Sequence, residues 1–330
     1  MVRRFFAHVY HLGVVHPYCM VRACFPVWYG VANKEGRRLF EKNKQKLNPA
    51  QERIVADLNR DGIAVSSLEE LFPGSSPLTA LQEAAHRYER DGAVKSGKQF
   101  LQFFWDLKPT LDLENPFITM SFDARVLDAV NSYLRMWAKF YFFSLNRTMP
   151  IAAGAKPQQS QRWHRDPEDK KLCKIFLYLN DVDATAGPFM YVKGSHYGGR
   201  WRYLFRQRPP HGSRAPYGEV ERRVPPGDIF AATGRAGTLI FCDTSGLHKG
   251  GYATAKERIM YTGVFASASS YKYTANPAII YPDGTERKNT HIALSPAARY
   301  ALVPPRQSIV QKIEKRIKAS GGGEMMPAEL

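Results

Sequence analysis

Apolar and polar positions divide the chain into two regimes. Asn48-Pro49 is a helix start signal and Asp61-Gly62 a stop, so the intervening run predicts a helix. Ile63-Ala64-Val65 then reads as a short strand. Apolar residues return at helical spacing over Leu78–Arg90 and Ser121–Met136, where Val126, Ala129, Val130, Tyr133 and Leu134 share a face. From Lys139 onward the runs become short and strand-like: Phe140–Phe143, Lys174–Leu179, Phe189–Val192, Asp228–Ala231, Thr238–Cys242 and Arg258–Phe265. Gly, Pro, Asp and Ser clusters such as Ala186-Gly187-Pro188 and Pro225-Pro226-Gly227 separate them. Helices followed by many short strands predict a mainly β fold, a sandwich or jelly roll backed by N-terminal helices, as one domain over 48–305. A basic helix near 308–319 and a Gly-rich tail from Ser320 make up a C-terminal region, 306–330.

Residues 1–47 form an arm ahead of this domain. Residues 1–34 contain no Asp or Glu, and apolar stretches follow Arg3 and Arg4. His8, His11, His16, Arg22 and Pro26 interrupt them, so no run approaches the ~18 apolar residues of a membrane-spanning helix. No Ser or Thr precedes Ser66, which argues against a Ser-rich transit peptide. The arm is expected to pack on the main body, with peripheral membrane contact through 1–34 as the sharper alternative.

Composition narrows the class. Apolar residues at 44% exclude disorder as the main description, and four cysteines exclude a disulfide-rich secreted scaffold. A reducing, cytoplasmic setting is expected. With 47 Lys+Arg against 30 Asp+Glu the formal charge is +17, which points to an anionic partner.

The candidate chemistry is metal ligation. Of nine histidines only His164 has a carboxylate two positions on, Asp166. Residues i and i+2 of an extended segment point the same way, so the two can grip one ion. Two His and one carboxylate form the facial triad of non-haem iron sites, although an isolated His-x-Asp arises readily by chance. This one has a context. Gly187-Pro188 leads to Gly194-Ser195-His196, Gly237-Thr-Leu-Ile-Phe leads to His248, and a later strand opens with Arg258.

This ordered set, with Asp61-Gly-Ile-Ala-Val65 as an opening strand, resembles the phytanoyl-CoA dioxygenase family of Fe(II)/2-oxoglutarate oxygenases over roughly 54–273. The resemblance implies a double-stranded β-helix with His164, Asp166 and His248 as catalytic iron ligands. It also implies that Arg258 holds the distal carboxylate of 2-oxoglutarate, with O2 as the second co-substrate. A guanidinium suits that role because its planar fork matches a carboxylate. Thr262 follows four positions on along the same strand face, and Asn146 and Gln161 are further co-substrate candidates. Gly250 departs from relatives that carry a hydroxyl two positions past the distal histidine. Halogenases of this type lack the carboxylate ligand, so Asp166 implies hydroxylation or a related oxidation.

The substrate is expected to be a small or medium-sized anionic metabolite, such as an acyl-CoA, a phosphorylated or a nucleotide-linked compound. The insertion 191–227 carries eight Lys/Arg against Glu219 and Glu221, and Arg202 and Arg206 are its candidate substrate contacts. Trp163 and Arg165 flank the first ligand as candidates for the substrate mouth. A nucleic-acid demethylase of the same fold is the alternative. It is disfavoured because such enzymes place a second arginine six residues after the first, and position 264 is Val. A cupin-like metal-binding protein without oxygenase activity would have no need of Arg258. His196 and Asp243 are expected to be structural.

Overall fold

A computed structural model of the chain describes residues 9–92, 94–95, 100–104, 113–152, 155–209, 211–270, 294–303 and 312. The predicted helix 308–319 and the Gly-rich tail lie outside the described residues, apart from Lys312. Among the described residues, no helix is long and apolar enough to cross a membrane.

Among the described residues, six α-helices of seven or more residues precede the main strands: α1 (His16–Ala23), α2 (Lys34–Lys42), α3 (Pro49–Asp61), α4 (Leu78–Gly92), α5 (Pro116–Phe122) and α6 (Ala124–Leu134). Helix α3 has the boundaries its sequence predicts. Asn48 and Gln51 form a reciprocal capping box at its start, and Gly62 ends it at φ +81°. A side chain at Gly62 would also strike the Tyr191 hydroxyl and the His196 ring. The single helix predicted over 121–136 is two. Asp123 adopts an extended conformation and its carboxylate accepts the Arg125 amide at 2.9 Å, so it caps α6 and breaks it from α5.

Among the described residues, twelve strands form two sheets: β1 (Ile63–Ser67), β2 (Val94–Lys95), β3 (Leu101–Phe103), β4 (Lys139–Thr148), β5 (His164–Arg165), β6 (Cys173–Tyr178), β7 (Phe189–Val192), β8 (Ser213–Arg214), β9 (Ile229–Ala232), β10 (Thr238–Cys242), β11 (His248–Lys249) and β12 (Arg258–Ala266). The larger sheet runs β1-β10-β6-β12-β4-β3-β2 and the smaller β8-β5-β11-β7-β9, with every pair antiparallel. This is the expected mainly β, jelly-roll double-stranded β-helix with helices on one side.

Strand alternation sorts the core. On β6, Cys173, Ile175 and Leu177 face the helices, packed with Ile54, Leu58, Tyr133 and Phe265. Phe176 and Tyr178 face the other way, into the space between the sheets, with Phe189, Tyr191, Ile240 and Met260. Lys174 shares their parity and so their face. The arm packs on the body. Trp28 is buried and donates from Nε1 to Asp169 Oδ1 at 2.7 Å, while Asn33 donates to the Ser269 hydroxyl at 2.8 Å.

Candidate metal centre

Strand register assembles the centre. His164 on β5 and His248 on β11 are directly paired residues of adjacent antiparallel strands, so their side chains rise from the same face. Their ring centroids stand 4.2 Å apart. Asp166, two residues beyond His164, turns back onto this face because its amide donates to Thr244 O at 3.0 Å. Its carboxylate oxygens lie 3.6 Å from His164 Nε2 and 3.3 Å from His248 Nε2. One ligand atom from each of the three lies within 4.8 Å of the others.

The histidine tautomers are set by the backbone. His164 Nδ1 lies 2.8 Å from Arg162 O, and His248 Nδ1 lies 3.0 Å from Gly246 O. A carbonyl only accepts, so each Nδ1 carries a proton, and Nε2 is the ring atom that each histidine turns toward Asp166. Burial, then the neighbouring His248, pull the His164 pKa down to about 3, which keeps that imidazole neutral. Burial alone would raise Asp166; Lys174 and then His248 overcome it and hold the carboxylate well below its usual range. Two imidazole Nε2 atoms and one carboxylate that converge in this way fit a divalent transition metal.

Lys174 is a residue that the sequence reading missed. Its Nζ lies 2.6 Å from Asp166 Oδ2 and 3.6 Å from Glu168 Oε1. A lysine at an inward position of an otherwise apolar strand was the available signal. The ammonium holds the Oδ2 oxygen that also faces His248 Nε2, so it fixes the orientation of the carboxylate ligand.

Arg258 lies at the start of β12 on the inner wall, 4% exposed. Nη1 donates to Gly187 O, and Nη2 donates to Thr148 Oγ1 at 3.1 Å. Nε is buried without a partner. Burial lowers the Arg258 pKa, opposed only by Tyr178, so no acid among the described residues compensates this charge. An uncompensated buried guanidinium with a spare donor fits a carboxylate-bearing co-substrate. Gly250 sits beside it: a Cβ there would lie 3.9 Å from Nη2. The hydroxyl next to this arginine comes instead from Thr148, on the neighbouring strand β4.

Thr262, Asn146 and Gln161 are each buried. Thr262 pairs with Ser144 and Phe176 on the inner wall, and Asn146 Nδ2 reaches Ser144 Oγ at 3.5 Å. Gln161 Oε1 accepts the Gln158 amide at 3.0 Å, leaving Nε2 buried and unpartnered.

Trp163 and Arg165 project from the opposite face of their strand. Trp163 packs beneath the insertion and donates to Glu221 Oε1 at 2.7 Å. Arg165 is 3% exposed and donates to the carbonyls of Ser195, Trp201, Leu204, Phe205 and Ser245. With these donors occupied, it fastens the insertion to the sheet rather than opening onto the centre, which corrects the expectation from sequence. Arg202 and Arg206 are exposed, with Arg202 stacked 4.4 Å over the Tyr203 ring. Arg214 is exposed too and pairs with His164 across β8 and β5, on the face that carries the ligand. His196 is buried with Nε2 3.2 Å from Asn59 O, and Asp243 accepts from Tyr133 and the Ser245 amide. Neither belongs to the centre.

A jelly-roll barrel with a His-Asp-His cluster on its inner wall defines a mononuclear metal-site protein of the cupin-like type. The model of the phytanoyl-CoA dioxygenase (PhyH) family matches residues 72–260. The chain belongs to this family, and by that membership is an enzyme of the iron- and 2-oxoglutarate-dependent oxygenase class. Among solved structures, it is similar to the epimerase SnoN in complex with Fe3+, alpha ketoglutarate and nogalamycin RO, at 17% identity and TM-score 0.47, covering 67% of this chain and 85% of that one. It is also similar to EctD from S. alaskensis with 2-oxoglutarate and 5-hydroxyectoine, at 21% identity and TM-score 0.45, covering 68% and 79%. The carbocyclase SnoK from nogalamycin biosynthesis is similar at 16% identity and TM-score 0.49, covering 81% and 98%. No curated protein sequence matches the chain.

Proposed function

We propose that this chain hydroxylates a small anionic metabolite, with His164, Asp166 and His248 holding Fe(II) and Arg258 holding the distal carboxylate of 2-oxoglutarate. The observation that carries the reading is the pair of histidines whose Nδ1 protons are committed to backbone carbonyls while both Nε2 atoms face one carboxylate. Bound there, iron(II) with 2-oxoglutarate and O2 supplies the oxidising power to insert oxygen into a C–H bond, and the keto acid leaves as succinate and CO2.

The protein's part is positioning. Thr148 orients the Arg258 fork from one side, and Lys174 keeps Asp166 turned toward the histidines. Phe176, Phe189 and Met260 close the interior against water. Asp166 occupies the position that a halide would need, so the product is hydroxylated rather than chlorinated. An acyl-CoA, phosphorylated or nucleotide-linked substrate suits the insertion's charge. Arg214 is the basic residue best placed for it, because the register sets it on the His164 face. A cytoplasmic location accords with the reduced cysteines expected from the sequence.

The test is anaerobic iron stoichiometry in wild type and His248→Ala, together with 2-oxoglutarate-dependent succinate release. One iron per chain in wild type and a large loss in the variant are expected. Equal tight binding by both proteins overturns the ligand set.

A further inference from the structure

The arm buries Val15, Cys19 and Trp28 yet leaves an apolar face outside as well. Between residues 9 and 33, every position that the structure exposes is apolar, glycine or cysteine, including Leu12, Met20, Val21, Phe25 and Val31. Arg22 points inward instead, 8% exposed, with its guanidinium donating to Ser269 O. Of the eleven large hydrophobic side chains exposed among the described residues, seven lie between 9 and 31. Scattered exposed apolar side chains are ordinary; this concentration in one short stretch is not.

The surroundings of this face are basic and aromatic. Phe25 stacks on Tyr197 of the insertion at 5.4 Å and 11°. Lys170 donates to Ala23 O at 2.7 Å and lies 4.2 Å over the Tyr197 ring. Tyr203, itself 66% exposed, carries Arg202 on its ring and lies within electrostatic reach of Arg206. An apolar face bordered by exposed aromatics and cations is the make-up of a helix lying in the membrane interface. Helix α1 has 8 residues, about 12 Å of helix, which suits shallow insertion.

We propose that the outer face of residues 9–33 docks on an anionic lipid bilayer, with Arg202 and Arg206 meeting the headgroups. Charge selects this occupant. Residues 1–34 contain no acid and the chain carries +17, so a second copy would set like charge against like, whereas an anionic leaflet complements the patch. This inference stands apart from the oxygenase reading, since it uses none of the residues at the metal centre.

The test is co-sedimentation of the full chain with vesicles of phosphatidylcholine alone or containing phosphatidylserine, at low and high salt. Binding is expected to require phosphatidylserine, to weaken with salt, and to fall about tenfold or more in Met20→Asp/Val21→Asp. Arg202→Ala and Arg206→Ala should each cost about fivefold. Circular dichroism and thermal melting check that the variants fold. If Met20→Asp/Val21→Asp fails to fold, the exposed-arginine variants carry the test alone. Absence of vesicle binding, or equal binding to both vesicle types, overturns the proposal. So does a wild-type dimer that Met20→Asp/Val21→Asp splits without any lipid binding, which would assign the face to a second copy.

Discussion

Replacing Arg258 by methionine separates a binding role from a structural one. The guanidinium is 4% exposed, contacts Gly187 O and Thr148 Oγ1, and keeps a buried Nε without a partner. In the apoprotein this is a buried charge without a compensating acid among the described residues, an arrangement that costs stability. With 2-oxoglutarate bound, the same group makes charge-assisted hydrogen bonds worth about 1.5–3 kcal/mol each. Arg258→Met is therefore expected to raise the KM for 2-oxoglutarate by about 3 kcal/mol, roughly 150-fold. It should meanwhile leave the melting temperature of the metal-free protein unchanged or higher. Thr148→Val removes only one neutral hydroxyl from the fork and should raise KM by about fivefold. The assay is succinate formation against 2-oxoglutarate concentration, paired with thermal unfolding of the apoprotein. An unchanged KM together with a lowered melting temperature would make Arg258 structural and move the carboxylate elsewhere.

Two further predictions use other parts of the molecule. Succinate release across a panel of CoA esters, nucleotide sugars, phosphorylated metabolites, neutral amino acids and oligonucleotides should favour an anionic small molecule, and Arg214→Glu should raise its KM at least tenfold while leaving that for 2-oxoglutarate in place; a best substrate that is neutral and indifferent to Arg214→Glu refutes the role. Burial raises the Asp169 carboxyl to about 6, against hydrogen bonds from Ser267, Lys170 and Trp28 that pull it down. A raised carboxyl pKa stabilises the fold below the unfolded value near 4, and that contribution is lost as pH climbs through 6. The loss is about 2 kcal/mol between pH 4 and 7, read by urea unfolding as the difference between wild type and Asp169→Asn, and parallel pH curves for the two proteins would refute it.

How legible the site was depends on the range of the interactions that build it. Helix α3 follows from Asn48, Gln51 and Gly62 because capping is settled within a few residues. The His164-x-Asp166 spacing is local in the same sense, although the Asp166 amide bond to Thr244 O is what turns its side chain onto the ligand face. His248 joins them only through the β5–β11 register, a long-range pairing to which the order of motifs points without fixing a geometry. Asp123 went unread as a break because the helical periodicity on either side of it nearly matches in phase. Arg165 shows the opposite failure. A charged residue beside a ligand reads as a functional group, yet its donors go to carbonyls of the insertion and the 245 turn, and which carbonyls lack partners is decided by how the insertion folds back. Thr148 was hidden for a related reason, because its hydroxyl reaches Arg258 from a neighbouring strand.

The arm sets a different limit on reading burial from pattern. Amphipathic periodicity assumes a fixed 3.6-residue turn and an apolar face turned inward. Here two π-helical stretches, His11–Val15 and Pro26–Ala32, flank α1, and each wide turn shifts the phase of the residues that follow it. The inward face of α1 is then settled by particular partners rather than by apolarity, as Arg22 is drawn in by Ser269 O. Trp28, farther on, is drawn in by Asp169. With Val15, Cys19 and Trp28 buried beside these anchors, Met20, Val21 and Phe25 are left on the outside. A stretch in which polar anchors face the protein and aliphatic side chains face outward gains stability by meeting an apolar medium, and no such cover exists among the described residues. The same residues that fix the arm to the barrel therefore determine which side chains it leaves outside.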